Sequence, residues 1–130
     1  MPSQWTPIKL GADVPTPVGA YSPAVRAGDF LYVSGQVPRD PRSGATIGTN
    51  VEEQTRQVMA NLASVLDAGG AALADVVSVT VYLASPDLWT EFNTVYRELM
   101  PKPFPARTAI GVSLRGFLVE ISAVAYLGKR

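Results

Sequence analysis

The chain contains no cysteine and no histidine among its 130 residues. These two absences exclude disulfides, a thiolate nucleophile, a Ser-His-Asp triad, an imidazole acid or base, and a zinc site built from Cys and His. Any chemistry must therefore use carboxylates, arginine, lysine, tyrosine, hydroxyls, amides and water. The glycine-containing stretches GVSLRG and AGGAALAD match neither the phosphate-binding loop nor the dinucleotide-binding pattern.

The sequence also lacks an excess of charge of either sign. Eleven basic and eleven acidic residues cancel, and no run of Lys or Arg occurs. Counterion release therefore offers little affinity for RNA or DNA. No window reaches the ~18 apolar residues that a membrane helix requires, and MPSQWTPIKL at the start has no signal-peptide pattern. We expect a soluble cytoplasmic protein that binds neither nucleic acid nor membrane.

The sequence has enough apolar material for a core, since 47% of its residues are hydrophobic and they are spread along the chain. We expect a single domain over residues 1–130. Its elements are predicted from strand-forming runs, helix caps and periodicity: a hairpin turning at Gly28-Asp29, a helix from the cap Asn50 to Gly69-Gly70, a strand over 76–84, a helix opening at Ser85-Pro86-Asp87, and strands over 106–112 and 117–127. The order ββαβαββ predicts an α+β fold with two helices on one face of a mixed sheet.

The last predicted strand, FLVEISAVAYL, is apolar on both faces. Two helices can cover only one side of the sheet, and no further element is available to cover the other. A sheet face of this kind is normally buried against something. We therefore expect a homo-oligomer in which a second copy covers it.

Arg107 is the most unusual residue of the sequence, because it lies in the otherwise apolar stretch PFPARTAIGV. A guanidinium cannot lose its proton and is costly to bury unpaired. If the SLRG loop closes a hairpin, Ala109 lies opposite Glu120, and Arg107 is the diagonal neighbour of Glu120 on the same face. The two residues then form either a structural ion pair or a site in which Arg107 binds a carboxylate while Glu120 holds a water. The spacing alone does not separate these two readings.

Other segments carry a family resemblance that runs in order from about Pro17 to Leu127. The segments are PVGAYSPAV (17–25), FLYVSGQVP (30–38), EEQTRQVMANLASVLDAGG (52–70), DVVSVTVYLAS (75–85), FNTVYRELM (92–100), FPARTAIGV (104–112) and VEISAVAYL (119–127). Together they resemble the reactive intermediate deaminase family, also called RidA or YjgF-like. GAYSPA, VSGQ and PART are weak motifs singly and specific in combination.

The resemblance implies a chorismate-mutase-like α+β fold, related to ferredoxin-like folds, assembled as a homotrimer with ligand clefts between subunits. It implies hydrolysis of reactive 2-imino acids and enamines, such as 2-iminopropanoate and 2-aminoacrylate, to 2-oxo acids and ammonia. This is the activity of a 2-iminobutanoate/2-iminopropanoate deaminase, and it clears damaging metabolites. The family needs no cofactor or metal.

The resemblance also assigns residue roles. Arg107 in PART would bind the substrate carboxylate, and Glu120 in VEI would orient or activate the attacking water. The other expected substrate contacts are two residues from the neighbouring subunit, Tyr21 and Asn93, and two loop residues, Ser34 and Gly35. Many family members carry Cys where this chain has Ala109, and this change at a substrate-contacting position leaves the preferred imino acid open.

Several alternatives remain. Tyr21 could be an ordinary strand residue, Asn93 a solvated or helix-bridging amide, and Gly35 a backbone requirement; Trp5 and Trp89 we assign to packing. The same cleft could hold a 2-oxo acid without turning it over, as a non-catalytic binding module. A ribonuclease or translation inhibitor, names that family members have carried, is disfavoured by the zero net charge.

Overall fold

The computed structural model describes residues 4–9, 11, 14 and 16–128. In chain order its elements are β1 Thr6–Pro7, β2 Ala24–Ala27, β3 Phe30–Gln36, α1 Val51–Ala68, β4 Val76–Leu83, α2 Trp89–Leu99, β5 Ala106–Gly111 and β6 Val119–Tyr126. Short 3₁₀ turns over Leu73–Asp75 and Pro86–Leu88 precede β4 and α2. The order ββαβαββ is confirmed, and the two-residue β1 adds to it at the sheet edge.

The strands form one six-stranded sheet in the order β1-β2-β3-β6-β4-β5. Every neighbouring pair is antiparallel except β4 and β5, which are parallel. Helix α1 packs on β3 and β6, and α2 packs beside α1 on the same face. This is the mixed sheet with two helices on one face that the sequence predicts.

The ends of α1 follow the predicted cap signals. Asn50 Oδ1 accepts a hydrogen bond of 2.8 Å from the backbone N–H of Glu53, and the Glu53 carboxylate accepts one of 2.9 Å from the backbone N–H of Thr49. At the other end, the Gly69 N–H donates to the carbonyls of the last turn, and Gly70 has a φ of 80°. Only glycine adopts that left-handed conformation without strain.

The predicted hairpin between the last two strands is wrong, because β4 lies between β5 and β6. Arg107 pairs with Val79 of β4, whereas Glu120 pairs with Tyr82. Val79 is buried under the helices and Tyr82 is on the opposite face, since side chains alternate along a strand. Arg107 and Glu120 therefore lie on opposite faces of the sheet.

The physical reason is the helical crossover. A strand, a helix and a second strand that run parallel form a βαβ unit, and this connection places β5 directly beside β4. Residues 112–118 then pass over the end of β4, where the Val112 N–H donates to the Leu83 carbonyl and the Ala84 N–H donates to the Leu118 carbonyl. The chain thus enters β6 on the far side of β4.

The sheet face away from the helices carries apolar side chains that no other described element covers. Tyr32 and Ile110 are 47% and 44% exposed on this face, and Tyr126 is half-buried. The inward residues of β6 are buried, whereas its outward face carries Glu120 and Ser122 beside Val124 and Tyr126, so the expectation of a strand apolar on both faces holds only for part of β6. In the described part of the chain, neither helix is long and apolar enough to cross a membrane.

Candidate functional site

Arg107 is held by side chains from α2. Its Nη1 donates a hydrogen bond of 2.8 Å to Asn93 Oδ1. Its guanidinium carbon lies 4.8 Å from the ring centre of Tyr96, 5.6 Å from that of Trp89 and 6.0 Å from that of Phe92. A cation over aromatic faces is stabilised electrostatically without being neutralised.

Arg107 keeps its charge available. Among the described residues it forms no ion pair, and its only side-chain hydrogen bond is the one to Asn93. A guanidinium has five N–H donors in a planar fork, so most of them remain free for a planar anion such as a carboxylate. The structural ion pair between Arg107 and Glu120 is wrong within one chain, because the sheet separates the two side chains.

A cavity of about 380 Å³ opens beside Arg107. Its lining residues are Trp89, Asn93, Tyr96, Arg97, Phe104, Pro105 and Arg107. The expectation that Asn93 reaches this site from a neighbouring subunit is wrong with respect to Arg107, because the two residues bond within one chain. It is not a solvated amide either, since it orients the guanidinium.

Sequence reasoning identified Asn93 but missed Trp89, Tyr96 and Arg97, the other residues of the same stripe of α2. Residues 89, 93, 96 and 97 lie one turn or two turns apart on the helix and all line this cavity. Trp89, which the sequence assigned to packing, is 44% exposed there. Tyr96 is buried, and burial raises the pKa of its hydroxyl despite the opposing effect of Arg107, so its ring stays neutral beneath the cation. The helical spacing was the signal that would have identified these residues.

Glu120 lies on the other face, against Gly35 of β3. The pairing of β3 with β6 shifts register between Val33 and Gln36, and this irregularity contains Gly35. A Cβ at Gly35 would collide with the Glu120 carboxylate and stand 2.9 Å from its Cδ. The φ of Gly35 is not in the left-handed region, so this glycine is required for space and not for backbone conformation.

Glu120 is partly withdrawn from water, and burial raises the pKa of its carboxyl above the ordinary value near 4.5. It lines a second cavity, of about 690 Å³, which also contains the predicted residues Tyr21, Ser34 and Gly35. The remaining lining residues are Val18, Val37, Arg39, Arg115 and Phe117. Four of the residues assigned by resemblance therefore come together on this face. The Ser34 hydroxyl donates to the Ser22 carbonyl at 2.6 Å and keeps its lone pairs for a ligand.

Ala109 lines neither of these two cavities. It lies beside Val81 on the helix-covered face, half-buried, and packs against the core. Its assignment as a substrate contact stays a prediction.

The two cavities have complementary chemistry. One presents an unpaired cation with a free donor fork, which suits a carboxylate, and the other presents a carboxyl whose raised pKa makes it a stronger base. In the described residues, no group of three acidic side chains forms a possible metal centre. One chain can therefore bind an anion in one place and accept a proton in another.

Comparisons with known proteins agree with the fold. Residues 11–127 match the model of a family described as Endoribonuclease L-PSP. A RutC family protein of Pyrococcus horikoshii is 42% identical over 116 residues, which cover 88% of this chain and 92% of that protein. The human 2-iminobutanoate/2-iminopropanoate deaminase is 36% identical, with 90% and 87% covered. The crystal structure of RidA from an Antarctic Psychrobacter bacterium superposes with a TM-score of 0.86 at 32% identity, covering 92% of this chain and 97% of that chain.

Proposed function

Since the chain belongs to the RidA (YjgF) family, we propose that the protein is a deaminase that hydrolyses reactive 2-imino acids and their enamine tautomers to 2-oxo acids and ammonia. The observation that carries this proposal is the unpaired guanidinium of Arg107 at the wall of a cavity. The human relative bears the name of such a deaminase. The other half of the chemistry is supplied by Glu120 and its raised pKa.

Binding begins at Arg107. The substrate carboxylate accepts two hydrogen bonds from the free edge of the guanidinium, while Asn93 and the rings of α2 hold the opposite side. This fixes the position of the imine carbon, which is next to the carboxylate in every 2-imino acid. Positioning is the main task of the site, because an imine carbon is already electrophilic.

Hydrolysis then needs one water and one proton shuttle. Water adds to the imine carbon, a C–O bond forms, and Glu120 takes a proton from the water. Glu120 returns this proton to the nitrogen, which gives a carbinolamine. Glu120 then carries the hydroxyl proton of the carbinolamine to the nitrogen while the C–N bond breaks, so the C–O bond becomes the carbonyl of a 2-oxo acid and ammonia leaves. A carboxylate of raised pKa performs both transfers better than an ordinary one, and such help is worth roughly 10²- to 10⁴-fold. Tyr21 and Ser34 are the hydroxyl groups that flank the reacting water.

The site is completed by a second copy of the chain. Arg107 and Glu120 occupy opposite faces of one chain, so a joint action on one substrate requires Arg107 of one subunit to lie near Glu120 of another. The uncovered apolar face that carries Tyr32 and Ile110 supports such an association. We propose the homotrimer that the family resemblance implies.

The first test is a coupled assay. A purified serine dehydratase releases 2-aminoacrylate, and we expect added protein to speed the initial formation of pyruvate and Arg107→Ala to abolish the increase. Arg56→Ala is the matched control, because Arg56 pairs with Glu98 on the surface and such pairs contribute little. Stabilisation of the protein by pyruvate in a thermal melt, without acceleration of any amino-acid-derived imine, would instead support the non-catalytic binding module.

The second test addresses the shared site. Arg107→Ala and Glu120→Gln are each expected to be inactive, and the two proteins are unfolded and refolded together at equal concentration. Random assembly pairs an intact Arg107 with an intact Glu120 in about a quarter of the sites, so about a quarter of the wild-type activity returns. Sites contained within single chains would give no recovery.

A further inference from the structure

The apolar walls of the cavity beside Arg107 bear on the choice of substrate. Trp89 and Phe104 are 44% and 47% exposed, and they line the cavity together with Tyr96 and Pro105. Of the polar residues, Asn93 is bonded to Arg107 and Arg97 is the remaining one. The surface next to the carboxylate-binding group is therefore mainly aromatic.

The volume of the cavity exceeds what a three-carbon imino acid needs. A water molecule takes up about 30 Å³ in the liquid, so 380 Å³ is the space of about twelve water molecules. With the carboxylate on Arg107, the cavity receives the side chain, which is one carbon in an imino acid derived from alanine and seven carbons in one derived from phenylalanine. Only the larger side chain covers the exposed rings.

We infer that this cavity receives the substrate side chain and selects 2-imino acids with large apolar or aromatic side chains, Trp89 and Phe104 being the specificity-determining residues. The inference rests on the proposed function and narrows its substrate class. The carboxylate is anchored on Arg107, which lies 5.6 Å from Trp89, so the adjoining side chain begins within reach of the indole. A buried apolar side chain is discriminated from a methyl group by at least tenfold.

Trp89 also contacts Arg107, so an alternative role for Trp89 is to position the cation without contacting the substrate side chain. That role would affect every 2-imino acid equally, because the carboxylate is common to all of them. A role in selectivity changes the ratio between substrates. Phe104 distinguishes the positioning role from the selectivity role. The described rings near the Arg107 guanidinium are those of Trp89, Phe92 and Tyr96, so a substitution of Phe104 tests selectivity without removing a ring that contacts the cation.

The test uses an amino-acid oxidase to release imines from phenylalanine, leucine, alanine and aspartate, with semicarbazide to trap the imine that the protein has not hydrolysed. We expect kcat/KM to be at least tenfold higher for the phenylalanine-derived imine than for the alanine-derived one. Trp89→Ala and Phe104→Ala should each lower this ratio at least fivefold, even if kcat/KM also falls for both substrates. Trp5→Ala, a change at a tryptophan of similar exposure, should leave the ratio unchanged.

Three results would overturn the inference while the proposed function stands: equal kcat/KM for large and small imines, an unchanged ratio in both variants, or a preference for the aspartate-derived imine through Arg97. If Trp89→Ala does not fold, Trp89→Leu replaces it in the assay, because leucine keeps an apolar surface at this position. Failure to accelerate any of the imines would overturn the proposed function itself.

Discussion

Gly35→Ala is expected to inactivate the protein while leaving it folded. The added Cβ would stand 2.9 Å from Cδ and 3.1 Å from Cγ of Glu120, and it would overlap the carboxylate oxygen beyond them. Carbon atoms in contact normally lie ~3.5 to 4.0 Å apart. The end of the Glu120 side chain must therefore move by about 1 Å.

The effect on activity follows from that displacement. A misplacement of about 1 Å in a catalytic group costs on the order of 100-fold in rate. The effect on stability is small, because the colliding group is the end of a flexible side chain. Its off-rotamer strain of about 0.5 to 1.5 kcal/mol is offset by the roughly 0.5 to 1 kcal/mol that alanine gains over glycine inside a strand. The melting temperature should therefore change by no more than about 5 °C.

The assay is the acceleration of pyruvate formation from 2-aminoacrylate, together with a thermal melt. Gly11→Ala is the control, because nothing lies within 4 Å of a Cβ at that position. The double variant Gly35→Ala with Glu120→Ala should be no less active than Glu120→Ala alone, since the shorter side chain leaves room for the new methyl group. Full activity in Gly35→Ala, or an additive loss in the double variant, would refute the reasoning.

Three further predictions address the charge and the fold. Burial raises the pKa of Glu120, so the acid limb of the wild-type pH–rate profile should lie above pH 4.5, and Glu120→Gln should be inactive at every pH. A raised pKa stabilises the folded protein fully below pH 4.5, and this stabilisation is lost as the pH rises through the pKa that Glu120 has in the folded protein. In urea titrations, the free energy of unfolding of the wild type should therefore fall relative to that of Glu120→Gln as the pH rises from 4.5 through that pKa. Asn93→Ala frees one side of Arg107 and should raise KM about tenfold, while Asn93→Asp, which neutralises the cation, should raise it more. Asn50→Ala should lower the free energy of unfolding by about 1 kcal/mol and leave kcat unchanged in folded protein.

The parts of the fold that could be predicted from sequence are those with local causes. The cap at Asn50, the turn at Gly28 with its φ of 58° and the end of α1 at Gly69 each depend on neighbouring residues, and each lies where expected. The start of α2 was less accurate, because Ser85 and Pro86 open a 3₁₀ turn before the α-helix begins at Trp89. The class of fold followed from the order of these local elements.

The strand order could not be predicted in the same way. A short loop between two strands suggests a hairpin, in which β6 would pair with the open edge of β5, but β6 lies between β3 and β4 instead. β5 takes one edge of β4 and β6 takes the other, where β6 also pairs with β3 and so has a partner strand on both sides. The error changed the predicted site, since it placed Arg107 and Glu120 on one face and hid the role of α2.

The separation of the two charges explains how each can remain usable. Within one chain, α2 offers Arg107 an amide and aromatic rings, which stabilise a cation without cancelling it. Burial is the cause of the raised pKa of Glu120. The sheet therefore keeps the two groups from neutralising each other within one chain, and this leaves Arg107 free to bind a carboxylate in the proposed reaction.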